Sequence, residues 1–228
     1  MAHRLLPFRQ YDENDVVNLF SLDADTLAVD LRNMKPGTDG INADGVLVTV
    51  SNGNMTENDV IKVGEDSRFA NNYSSPVGRN PYPTNPLKVA PAASGVKPLG
   101  VTLNQTLATD ENGESLLFNP VKKDELQAVL SGQTVPVLGK GIITVHEKAV
   151  EYQAQGDYGL PQVGDKLISA GGGKFAALAP NAQPGVAANQ GIGQVLATGD
   201  RGGPTEYRSP GHLADFQSGR YYVIKLDC

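Results

Sequence analysis

Three histidines, one cysteine and a few acidic turns are the residues of this chain whose types could do chemistry. His3, His146 and His212 stand far apart. None lies in an H-E-x-x-H pattern, which would set two imidazoles one helical turn apart on a zinc ion. Their plain reading is two histidines in terminal or loop segments and one, His146, at a strand end. Cys228 is the single thiol, so no internal disulfide and no thiolate zinc site can form. It reads as a residue of an exposed end. Asp23 and Asp25, and Asp110, Asn112 and Glu114, offer oxygen ligands for calcium. Neither run completes the spacing of a calcium loop, and both read as solvated turns. Gly191-Ile192-Gly193 starts like a dinucleotide fingerprint, but no third glycine and no helix follow. It reads as a strand packed tightly at its glycines. Gly171-Gly172-Gly173 lacks the Lys-Ser/Thr of a phosphate loop and reads as a flexible turn. No G-x-S-x-G elbow exists. Trp is absent and aromatics are 6% of residues, which argues mildly against a sugar-processing groove. The expectation is a protein that is not an enzyme, with no cofactor and no metal.

The elements that would carry any site follow from composition. The 228 residues include 26 Gly and 15 Pro, leaving room for many turns and few long helices. The net charge of −6, without a Lys/Arg cluster, excludes a phosphate-neutralising surface, so no nucleic-acid partner is expected. No run of about 18 apolar residues exists, so no transmembrane helix and no membrane partner are expected. Residues 1–10 lack the apolar core of a signal peptide, which points to synthesis in the cytoplasm.

The fold class expected is mainly β: small β-barrel or β-sandwich modules with long ordered loops and one short helix at about 119–131. Residues 1–14 mix basic, aromatic and polar groups without periodicity and read as an N-terminal arm. Residues 15–65 read as an N-terminal β module, with strands at 16–22, 26–31 and 45–50. Asn52-Gly53 is a hairpin turn returning through 59–63. Residues 66–98 are rich in Pro and Asn and read as an extended loop or linker, with no place for a central strand. Residues 99–228 read as a C-terminal β-barrel-like module. Its strands fall at 99–103, 115–118, 134–138, 142–146, 166–169, 174–178, 191–198 and 220–226. Asn119 as cap and Pro120 at the first helical position start the helix; Val121, Glu125, Leu126, Val129 and Leu130 give it a mostly apolar face, and Gly132 ends it.

Several phrases then stand in a familiar order. They are Lys97-Pro98-Leu99-Gly100-Val101-Thr102-Leu103, Gly139-Lys140-Gly141-Ile142-Ile143-Thr144-Val145, Val163-Gly164-Asp165-Lys166-Leu167, Gly191-Ile192-Gly193-Gln194-Val195-Leu196 and Tyr222-Val223-Ile224-Lys225-Leu226. Over residues 97–226 this order resembles the β-barrel modules of tailed-bacteriophage capsid decoration proteins, also called cement or head-stabilising proteins. The resemblance implies a structural virion protein on the outer capsid surface that bridges major capsid proteins and stabilises the shell. It also implies a homo-oligomer, with a homotrimer favoured. On that reading the capsid contacts would be Arg4, Leu5, Phe8, Arg9 and Tyr11 of the arm, and Phe69, Tyr73 and Tyr82 of the extended loop. The arm would add a strand to a neighbour's sheet edge. The alternatives are another virion component, such as a head-fibre base or tail-associated protein, or a non-viral carbohydrate- or surface-binding β module.

Overall fold

The computed structural model describes residues 4–22, 44–50, 87–107, 109–110, 112–130, 134–151, 160–178, 191–200 and 219–228. Among them the chain is mainly β, with one short α-helix. In chain order the elements are β1 (Leu5–Gln10), β2 (Val16–Leu22), β3 (Leu47–Val50), β4 (Leu87–Pro91), β5 (Gly100–Thr102), β6 (Gln105–Thr106), α1 (Pro120–Glu125), β7 (Ala128–Val129), β8 (Val135–Leu138), β9 (Lys140–His146), β10 (Lys166–Ala170), β11 (Lys174–Ala177), β12 (Gly193–Asp200) and β13 (Arg220–Asp227). No described helix is long and apolar enough to cross a membrane.

Two bodies of sheet share one core. Five strands close on themselves in the order β2-β4-β3-β5-β8, with β8 returning to β2. Six strands form a second sheet in the order β1-β9-β13-β12-β10-β11. Strand alternation explains how the two meet, because successive side chains face opposite ways. In and beside β3, Val46 and Val48 fill the ring with Val89, Val135 and Val137. Leu47, between them, points the other way, into a core with Ile143, Val145, Leu167, Phe175, Tyr222, Ile224 and Leu226 of the six-stranded sheet. A β strand buried on both faces reads as a continuous apolar run, which is why Gly45–Val50 was legible as a strand.

The expected division at 66–98 does not separate two sheets. The ring takes β2 and β3 from one side of that segment and β5 and β8 from the other. β4 comes from inside it and lies between β2 and β3. The proline argument fails here because Leu87–Ala90 is proline-free and Pro91 falls at the last strand position, where a missing N–H is tolerated. The expected strand 26–31 and the expected return strand 59–63 lie outside the described residues. Within them, β3 pairs with β4 and β5.

Around α1 the expectations need correction. The helix has six residues, and Gln127 turns the chain with φ of 48°. The next residues then leave as β7, parallel to β6. The Asn119 side chain does not cap the helix; its amide donates to the Ser115 carbonyl at 3.1 Å. Ser115–Phe118 is a run of turns and not a strand, closed by Phe118 N–H to Ser115 O and Asn119 N–H to Leu116 O. Leu116 and Leu126 join a small separate core with Leu107, Ala128 and Leu130.

The Gly171–Gly173 segment is a fixed joint and not a flexible turn. It links the β10–β11 hairpin that the sequence predicted, with Ala170 opposite Lys174. Gly173 N–H donates to Ala92 O at 3.1 Å, and a Cβ there would collide with Val46 and the Leu47 backbone. Beside it, Gly95 N–H reaches Ser169 O and the Ser169 hydroxyl reaches Ala93 O, both at 3.0 Å. These contacts bolt the sheet onto the ring.

Candidate functional site

The arm expected at residues 1–14 is a strand of the protein's own sheet. Leu5 stands opposite Val145 and Arg9 opposite Ile143, so Leu6, Pro7 and Phe8 bulge out against Thr144 alone. Pro7 brings no N–H, and a bulge on an edge strand bars further pairing. The open edge is therefore blunted, and strand addition by this segment is corrected to side-chain presentation.

That geometry splits the proposed contact residues. Arg4 is 2% exposed and Leu5 3%. The Asp44 carboxylate accepts both of their backbone N–H groups, at 2.9 and 3.3 Å, and an Arg4 guanidinium N–H reaches Gly172 O at 3.5 Å. Neither can touch a partner from there, because they hold β1 to the core and to the joint. Arg9 is half-buried, with its guanidinium Nε donating to Leu6 O at 3.0 Å. Phe8, 61% exposed, and Tyr11 do face outward. Phe69, Tyr73 and Tyr82 lie outside the described residues.

A stronger apolar surface sits where the sequence placed a short strand and a helix face. Leu117, Phe118 and Val121 are 56%, 79% and 72% exposed, three large apolar side chains within five residues. The turns before α1 force them out: Leu116 takes the inward position, and Pro120 starts a helix too short to bring Val121 round to the core. The signal available in sequence was the Asn119-Pro120 pair, a dipeptide that favours a turn.

Of the residues with chemical potential, His3, His212, Asp23 and Asp25 lie outside the described residues, and Asp110, His146 and Cys228 make structural contacts. Asp110 is buried, and one carboxylate oxygen accepts the N–H groups of Asn112 and Glu114 at 2.9 and 2.8 Å. It shapes a turn with the oxygen a cation would need. His146 ends β9, and its Nδ1 accepts from Lys148 N–H at 3.2 Å. Gly193 lies against the Lys225 backbone, where a Cβ would collide, but Gly191 precedes the strand and has open space, so the tight packing holds at one glycine of the two. Among the described residues, no three His, Cys, Asp or Glu side chains gather as a metal site would require. Cys228 is not an exposed end: its N–H donates to Gly139 O at 3.0 Å and its side chain packs against the main core. Burial pushes its thiol up to about 12, with Lys97 pulling the other way and Asp227 adding to the rise. Burial likewise raises the Tyr222 hydroxyl, with Arg220 opposing.

No protein-family model, curated protein or solved structure matches this chain.

Proposed function

We propose that the chain is a structural virion protein that binds the outside of a phage capsid and stabilises it by bridging major capsid proteins. The observation that supports docking is the exposed apolar Leu117–Phe118–Val121 knob, on turns and a short helix anchored by Leu116 and Leu126 in a small core. Large apolar side chains presented together are what a partner surface buries, and a few such anchors carry most of a binding free energy. Phe8 and Tyr11 offer a second apolar contact. The resemblance of the sequence phrases over 97–226 supports a major capsid protein as the partner. Binding only the assembled shell would stabilise it by mass action, since a ligand of one state shifts the equilibrium toward that state.

The test is co-sedimentation with purified capsid shells of the same phage. The wild-type chain binds saturably. Phe118→Ala with Val121→Ala weakens binding by about 2 kcal/mol or more, at least about tenfold. Both positions are exposed, so the melting temperature stays unchanged. A chain that remains wholly in the supernatant sinks the reading.

A further inference from the structure

The face of the six-stranded sheet turned away from the core carries a second surface. Strand registers place Lys166, Gln194, Lys225 and Ile142 in one row across β10, β12, β13 and β9. Lys140 and Asp227 pair in the row beyond. Ala197 and Val223 pair on the same face, beside the bulged residue Leu196, which is 40% exposed. Toward His146 this face is buried, but Gln194, Leu196, Ala197 and Lys225 are exposed. The result is an apolar strip bordered by Lys140, Lys166 and Lys225, with Asp227 the one acid in these rows.

An acidic turn lies at the Lys140 end of the same sheet. The 3₁₀ turn Glu13–Asp15, capped by Asp12, presents three carboxylates between the exposed apolar side chains Tyr11 and Val17. It is tied to the start of β9: Gly139 N–H donates to Asp15 O at 2.9 Å, and Tyr11 lies against Gly141. One chain thus carries a basic-rimmed apolar strip on a sheet face and an acidic turn at the end of the same sheet. A two-fold interface needs this arrangement, because each patch must meet its opposite on the other copy. Opposed charges then fix register and speed encounter.

We infer that this surface docks a second copy of the chain. The sheet face of one copy, with Lys166 and Lys225, meets the acidic turn of the other, with Glu13 and Asp15, and the reverse contact forms at the same time. The inference does not rest on shell binding and is read with the protein alone, so either can fail without the other.

Analytical ultracentrifugation of the full chain tests it. At low salt the mass rises with concentration to twice the monomer, and about 1 M salt, where screening acts within a few ångströms, weakens the pair. Lys166→Glu with Lys225→Glu weakens association at least about tenfold, and so does Glu13→Lys with Asp15→Lys. Mixing the two reversed proteins restores a dimer, since every contact is again between opposite charges. If either reversal unfolds the chain, Lys166→Gln with Lys225→Gln replaces it, with weakening still expected. A wild type that stays monomeric, a three-fold mass, a dimer indifferent to the substitutions, or a mixture that does not associate would each overturn the inference.

Discussion

At the scale of single residues, Cys228 shows how position rewrites chemistry. An ordinary thiol is partly ionised at mildly alkaline pH and reacts with alkylating agents. Here burial lifts the thiol from its ordinary 9.0 to about 12, so the reactive thiolate is disfavoured in the folded state. At pH 8 we expect alkylation by iodoacetamide to be slow on the folded protein and fast in denaturant, as followed by mass spectrometry. Equal rates in both would show that the residue is not packed. The linkage has a definite sign. A thiol whose pKa is raised by folding contributes its stability below the unfolded value and loses it as pH climbs through the folded one. Denaturation midpoints should fall between about pH 9 and 12. The raised Tyr222 hydroxyl adds to the same alkaline loss.

At the scale of elements, β1 carries the largest correction. Its sequence lacks alternation because the Leu6–Phe8 bulge breaks the period of two, so a structural strand looked like an unpatterned arm. Removing residues 1–14 should therefore damage the fold and not merely a binding surface. The loss of buried Leu5 alone is expected to cost about 2–5 kcal/mol. Circular dichroism melting of the truncated chain checks this, and an unchanged melting temperature would restore the arm reading. Elsewhere, strands with clean runs were legible: 16–22, 166–169 with 174–178, and 220–226 all form where their β-branched and apolar residues place them. The β10–β11 hairpin was legible because its glycines interrupt two such runs. The helix was overextended because Leu126, Val129 and Leu130 do face a core, but Val129 reaches the ring from a strand and the other two a small separate cluster. Periodicity reports that a residue is buried, not which element buries it. The exposed knob was missed for the converse reason: apolar type alone does not say which side a turn will face.

At the scale of the whole molecule, ring and sheet behave as one unit in this architecture, because they share a core and are joined at Gly173, Ser169 and Arg4. We expect one cooperative unfolding transition by calorimetry, and two resolved transitions would show that the joint does not couple them. The joint's own contribution is measurable by comparing neighbours. Gly172 and Gly173 both have positive φ, at 68° and 67°, but only Gly173 has atoms where a side chain would go. Gly172→Ala should cost about 1–2 kcal/mol from backbone strain alone. Gly173→Ala should cost about 1–3 kcal/mol more, from overpacking against Val46 and Leu47. Urea midpoints read the difference. None of this coupling was visible in the sequence, where three glycines in a row look like slack. The tertiary neighbours that make them rigid lie more than 70 residues away in the chain.

The position of β13 has a consequence for how the protein is made. This strand lies between β9 and β12 in the six-stranded sheet, yet it follows every other described strand in the sequence. Until β13 is in place, β9 and β12 have no neighbour to pair with across the gap. Pairings this distant in sequence are slow to form, and exposed strand edges invite association with other unfinished chains. The six-stranded sheet therefore stays split between β9 and β12 until β13 inserts, so this one strand sets when the sheet can close.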